Sequence, residues 1–289
     1  MRNGDDSSNR TQIVEFDPAA PVSNIRCSRR RPTRSCAVAA EAASLIWPIG
    51  IAPMRISGLE ELDGRLVDGL IFCALAYTAF DRIRAHPKGI EELRMRRTPR
   101  SKKLIEEILP VVRYVQRRYS PGLRIEVRWE GGNQTYDAFI RCSGADIEHR
   151  GVPKRQFLEV TTAVHPNEYL TREQLNDEGL SWGPRLARRD RKTRRAVSEP
   201  AVNEYREAEA EHIEQILGVI RAKQAKRYPP STSLLVRCVV NMPMLDDEWT
   251  YIASAVGKDC AHVPFREVIL VEPISDQFTT VYSKRLTNG

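Results

Sequence analysis

The 289-residue sequence predicts an α/β fold. Three observations lead to that class. Short runs such as "LRIEVRWE" (Leu123–Glu130) alternate apolar and polar residues with period two, as half-buried strands do. Longer runs carry an apolar stripe at helical spacing, most clearly between Glu199 and Tyr228. Turn signals such as "PG" at 121–122 and "GGNQ" at 131–134 separate the two kinds of run. A hydrophobic content of 41% beside a charged content of 29% supplies a core with polar segments attached. The excess of basic residues, 45 against 38 acidic, gives a formal charge of +7 and suits a polyanionic partner.

The chain divides into three regions. Residues 1–53 lack periodicity: an acidic Ser/Asn-rich start, then "RCSRRRPTRSC", then an Ala-rich run. They are expected to be a disordered or dispensable extension. The run Cys36–Pro53 mimics a secretion signal's apolar region, but it starts far from Met1 and contains Glu41, so secretion is not expected. Met54 reads as a natural start, with Ser57 as a helix cap and Glu60 as its capping-box partner. Residues 54–100 form a helical segment and basic linker. Leu62, Leu66, Leu70, Ala74, Tyr77 and Phe80 stripe a helix over 59–84, with a break near Gly69. The run "RMRRTPRSKK" (Arg94–Lys103) is a solvated linker or a grip on phosphates.

Residues 101–289 hold the main domain. Leu104, Ile105, Ile108, Leu109, Val112 and Val115 share a helical face, which Pro110 is expected to end or kink. Three strands come next: Leu123–Glu130, "TYDAFIRC" and "RQFLEVTTAV". After a charged stretch come the long helix within 199–228, a strand in "PPSTSLLVRCVVN", a helix over 245–256, and strands in "FREVILVEP" and "QFTTVYS". Six cysteines at 27, 36, 73, 142, 238 and 260 form no CxxC pair. A zinc site is therefore not expected, and Cys142 and Cys238 read as buried thiols of a reducing, cytoplasmic protein. No run reaches the ~18–20 apolar residues of a membrane span. Walker A, GxGxxG, HExxH and GxSxG patterns are missing, which removes support for nucleotide hydrolysis, dinucleotide redox and the common hydrolases.

The chemistry rests on two acids. Asp137 lies in "TYDAFI" and Glu159, 22 positions later, in "QFLEVTTA", each a single carboxylate on an apolar strand. The order helix, three-strand meander, long helix, strand from Ser101 to Asn241 resembles the PD-(D/E)xK superfamily of metal-dependent nucleases, the restriction-endonuclease-like fold. The resemblance spans about half the chain. It implies a core with an N-terminal helical extension, Mg²⁺ (or Mn²⁺) as cofactor, and Asp137 and Glu159 as its ligands. Glu107, or its neighbour Glu106, matches the additional helix acid of some relatives. The departure is Thr161, which stands where the family places a lysine and supplies no charge. Lys223 on the long helix is one substitute, and Lys154 and Arg155 before the third strand are others. The competing reading pairs Asp137 and Glu159 with Arg141 or Arg128 across the sheet.

The arginine-rich run Pro184–Arg195 is expected to be a loop or mobile arm, with Arg188, Arg189, Arg191, Lys192, Arg194 and Arg195 on phosphates. His165 lies near the same strand end, either as a participant or as a structural loop residue, and Glu168 and Glu173 belong to a short helix. Tyr169 and Trp182 either stack on bases or serve the core. The resemblance implies a nuclease hydrolysing phosphodiester bonds, in DNA rather than RNA, acting as a homodimer or with a partner protein. The alternatives are a catalytically silent nucleic-acid-binding or assembly protein with the same fold, and an interaction scaffold with basic tails.

Overall fold

The computed structural model describes residues 59–145, 147, 152–200, 205–240, 245–260 and 262–284. The expected extension 1–53, Met54 and the Ser57 cap lie outside the described residues. All of the described residues belong to the unit Arg55–Gly289.

The chain is a mixed α/β structure built on one seven-stranded sheet of order β1-β2-β3-β4-β7-β8-β9. The helix expected over 59–84, with its break near Gly69, is an α-helix only from Gly69 onward. Leu59–Glu61 form a 3-10 turn, and Val67–Asp68 (β1) pair antiparallel with Val127 and Glu126. Helix α1 (Gly69–Arg84) begins only after them, where the Asp68 carboxylate accepts the Leu70 N–H at 2.9 Å. A side chain at position 69 would meet Val115 Cγ1 at 2.9 Å and the Ile125 carbonyl at 3.0 Å. Glycine therefore allows the helix start to sit directly on the sheet.

Helix α2 (Gly89–Met95) leads to α3 (Pro99–Lys103), a π-helical turn (Leu104–Ile108) and α4 (Leu109–Arg118). Pro110 does not split this run. The Leu109 N–H reaches back to the Leu104 carbonyl, five residues away, and Pro110 falls at the start of the following α segment. A proline is tolerated there because its missing N–H would lack an α-helical partner. The wide turn carries Glu106 and Glu107.

Strands β2 (Arg124–Trp129), β3 (Ala138–Ser143) and β4 (Arg155–Ala163) form the antiparallel meander. Helix α5 (Glu168–Asp177) comes next, and then a two-stranded hairpin, β5 (Arg188–Arg189) with β6 (Ala196–Val197), where the sequence suggested a loop or arm. Its turn is closed by the Asp190 carboxylate, which accepts from the backbone of Lys192 and Thr193 and from the Thr193 hydroxyl. Helix α6 (Tyr205–Gln224) then crosses to β7 (Thr232–Cys238), parallel to β4. Helix α7 (Asp246–Asp259) crosses to β8 (Glu267–Glu272), parallel to β7, and β9 (Gln277–Ser283) closes the edge antiparallel.

Two cores lie on the two faces of the sheet. One packs α1, the π turn and α4 against Leu158, Val160, Leu235 and Ile269. The other packs α6 and α7 against Ala163, Leu234, Val236 and Leu270. Alternation along β4 and β7 sends neighbouring residues to opposite cores. On β4, Glu159 points to the α6 side, between Leu158 and Val160 on the other. Buried Gln156 of β4 donates its amide to the Tyr114 hydroxyl of α4 in the interior. Removing that hydroxyl leaves a buried amide without its acceptor. Tyr114→Phe is expected to lower stability by about 1–3 kcal/mol, measured by urea denaturation with an unchanged m-value.

Candidate functional site

The site forms where β3 and β4 part. Their pairing ends with Ala138 opposite Leu158, and the Asp137 N–H donates to the Leu158 carbonyl. Beyond Leu158, β4 keeps only β7 as a neighbour. The Asp137 side chain closes the gap, its Oδ2 accepting the Val160 N–H at 2.6 Å. Glu159 thus lies between the two residues that Asp137 holds.

Lys223, in the last turn of α6, places its Nζ 2.5 Å from Glu159 Oε1. The side chains of the pair are 21% and 8% exposed, so water screens their attraction weakly. Tyr228, just beyond α6, stacks on Phe265 with ring centroids 5.0 Å apart and lies against Glu159. Its hydroxyl is buried and completes no hydrogen bond among the described residues. Burial, with Glu159 and Asp137 alongside, holds the phenol in its protonated form well above the usual range.

The π turn delivers Glu107 on the other side. Burial raises its carboxyl pKa, an effect opposed mainly by Lys103. The Trp129 indole N–H lies against Glu107 without completing a hydrogen bond. Lys103 donates to the Gly131 carbonyl at 2.5 Å and sits 5.5 Å over the Trp129 ring. Asp137 feels all of these groups. Burial is the largest cause of its raised pKa, the Glu159 charge adds to it and Glu107 adds less, while the Val160 N–H and Lys223 oppose it. The balance lifts Asp137 from 3.8 to about 7.

Lys223 is therefore paired with Glu159, and the charges of Glu159, Glu107 and Lys223 all act on Asp137. The competing pairings do not form: Arg141 binds Glu126 at 2.6 Å, and Arg128 binds Glu130 at 2.6 Å. Thr161 shares Glu159's strand face by alternation. Lys154 and Arg155 sit at the other end of β4, exposed. Glu106 turns away from Glu107 and pairs with Arg96 at 3.0 Å. His165 is engaged with Glu211 at 2.9 Å. In the hairpin, Arg188 pairs with Glu199 and Arg189 with Glu173, while Arg191, Lys192, Arg194 and Arg195 are exposed and form no ion pair among the described residues. Tyr169 lies beneath the Arg189 guanidinium at 5.8 Å, and Trp182 is half exposed. The linker Arg94–Lys103 is not simply solvated: Arg94 donates inward to the Leu175 carbonyl, and Arg96 is largely buried. Tyr228 and Trp129 do not stand out in the sequence. Their signal is position, Tyr228 five residues after Lys223 and Trp129 at the end of the strand before Asp137.

No protein-family model, curated protein or solved structure matches this chain. Among the described residues, no three His, Cys, Asp or Glu side chains converge into a ready-made metal cage. None of their helices is long and apolar enough to cross a membrane. The donor set still fits Mg²⁺, which commonly takes one or two carboxylates and completes its shell with waters and substrate oxygens.

The raised pKa has a stability consequence. The folded protein holds the Asp137 proton more tightly than the unfolded chain does, so stability falls as pH rises from about 4 to about 7. Neutralising the group removes that loss. Asp137→Asn is expected to be more stable than wild type at pH 8 in EDTA, by on the order of 2–4 kcal/mol, with the difference vanishing near pH 4. Denaturant titrations at the two pH values check this.

Proposed function

We propose that this chain is a metal-dependent nuclease with a restriction-endonuclease-like core, hydrolysing phosphodiester bonds in DNA in preference to RNA. The observation that carries the reading is the Lys223–Glu159 ion pair beside Asp137. It offers two acids and a lysine where the family pattern needs them, with the lysine supplied by α6 instead of position 161. Asp137 and Glu159 would hold Mg²⁺ (or Mn²⁺), and Glu107 would act on it from further out. The cation supplies a Lewis acid for the phosphoryl oxygen and lowers the pKa of an attacking water.

The residues of the chain account for the rest. Val160 N–H fixes one Asp137 oxygen, leaving the other for coordination. Lys223 orients Glu159 and places a positive charge where negative charge develops in the transition state. Tyr228 O–H and Trp129 N–H provide donors for phosphate oxygens or ordered water. The exposed cations Arg191, Lys192, Arg194 and Arg195 add a salt-sensitive attraction to the nucleic-acid backbone.

The test is cleavage of plasmid and single-stranded DNA, and of RNA, with Mg²⁺ or Mn²⁺. Wild type is expected to cleave and to stop in EDTA. Asp137→Ala and Glu159→Ala should each lower the rate by about 10²–10³-fold or more. Lys223→Met should lower it by about 10²-fold, and adding Thr161→Lys to that variant should restore part of the loss. Absence of cleavage with salt-sensitive DNA binding that survives both alanine substitutions would replace this reading with the silent binding protein.

A second expectation concerns the hairpin. Neutralising Arg191, Lys192, Arg194 and Arg195 together should reduce the slope of log affinity against log salt by up to about 3–4. Melting temperature should stay within about 2 °C, because these side chains form no structural ion pairs.

A further inference from the structure

A second polar cluster lies on the opposite side of the sheet from the Glu159–Lys223 pair. Arg237 of β7 pairs in register with Thr162 and, like Leu235, faces the core formed with α1 and α4. Its guanidinium forms no hydrogen bond or ion pair among the described residues, and its Nη1 is fully buried. Two other arginines stand close behind it. Arg96 is paired with Glu106 at 3.0 Å and Arg172 with Glu168 at 3.2 Å. Arg96 Nε is also buried without a partner.

Among the described residues, three guanidiniums stand against two carboxylates, which leaves one positive charge over in largely buried surroundings. Burial is the main cause of the depressed pKa of Arg237, and Arg96 and Arg172 depress it further, to about 10. A buried guanidinium with no counter-charge is a destabilising feature in a folded protein unless something supplies one. Arg96 is also held at φ 54, in the left-handed region where a non-glycine residue is strained, so the backbone is bent in delivering this side chain.

Arg237 is not sealed off. It lines a cavity of about 160 Å³ beside the C-terminal ends of β7 and β8. The other walls are mostly apolar, with Leu109, Val271 and Pro273 among them, and Tyr77 and Arg113 also contribute. Arg113 is already paired with Asp276 at 3.1 Å, which leaves Arg237 as the unengaged cation of the cavity.

We propose that this cavity binds a small organic oxyanion, its carboxylate or phosphate group on the Arg237 guanidinium and its compact apolar body against Leu109, Val271 and Pro273. The guanidinium fork suits either planar or tetrahedral oxyanions in bidentate fashion. The apolar walls add burial of the ligand's body, which a bare inorganic anion lacks. The inference is independent of the nuclease reading, because it uses neither Asp137, Glu159 nor Lys223.

The experiment measures thermal unfolding of the full chain with benzoate, phenyl phosphate, inorganic phosphate and uncharged benzyl alcohol, at matched ionic strength in sodium chloride. Benzoate or phenyl phosphate is expected to raise the melting temperature by about 3–5 °C near saturation. The larger of the two shifts identifies the head group. Benzyl alcohol and sodium chloride should have no effect, and inorganic phosphate a smaller one. Arg237→Met, which removes the unpaired charge, should melt at or above the ligand-free wild type and no longer respond. If that variant does not fold, Arg237→Gln is expected to weaken binding at least about tenfold by isothermal titration calorimetry, where wild type binds with 1:1 stoichiometry. The proposal is overturned if neither organic anion stabilises wild type. It is likewise overturned if sodium chloride or benzyl alcohol matches the effect, if inorganic phosphate does as well as the organic anions, or if the Arg237 variants bind as wild type does.

Discussion

The hydrogen bond from the Val160 N–H to the Asp137 carboxylate holds the site together, because it lies where β4 loses one of its two neighbours. Up to Leu158 the strand is paired with β3 on one side and β7 on the other. Past that point the β3 side of its backbone needs another acceptor, and an unpaired buried amide would be unfavourable. Asp137 supplies the acceptor, and in doing so brings a carboxylate beside Glu159. Backbone satisfaction and charge concentration therefore come from one contact. The result is a group whose desolvation and neighbours oppose its ionisation, an arrangement that local stability alone would not favour.

The surrounding structure keeps that arrangement from relaxing. β4 is held from the α4 side by the Gln156–Tyr114 hydrogen bond and from the α6 side by Lys223. The turn after Trp129 is tied down twice, by the Asp63 carboxylate accepting the Gly131 N–H at 2.7 Å and by Lys103 on the Gly131 carbonyl. The π turn gives successive glutamates opposite duties: Glu106 compensates buried Arg96, and Glu107 stays near Asp137. One extra residue in a helical turn thus divides two acids between two polar clusters.

The two clusters differ in sign. Around Asp137 the charges of Glu159 and Glu107 outweigh that of Lys223 in their effect on that group, which suits a cation. Among the described residues around Arg237, three guanidiniums outnumber two carboxylates, which suits an anion. Apolar residues of β4 and β7 lie between Arg237 and the Glu159–Lys223 pair, Leu158, Val160 and Leu235 on one face and Leu234 and Val236 on the other. Both imbalances are buried, where salt screens them little.

Much of this was legible in the sequence. Period two located β2, and short apolar runs bounded by turn signals located β3, β4, β7, β8 and β9, because a half-buried or fully buried strand leaves its mark in local apolar pattern. The two strand acids were also visible, since a lone carboxylate in an apolar run stands out. Local pattern was misleading where backbone pairing overrode it: residues 59–68 carry a helical stripe but form a turn and an edge strand, and Pro110 is absorbed by a π turn instead of breaking the helix. The sequence could name Lys223 only as one of several candidate cations, because spacing along a chain does not say which helix end meets which strand. Tertiary structure decided that Lys223 reaches Glu159, that Arg128 and Arg141 bind other acids, and that Arg237 has no partner among the described residues. Those outcomes depend on the parallel register of β4 with β7 and on the crossing of α6 over them. Long-range pairing sets both, and no stretch of local sequence encodes it.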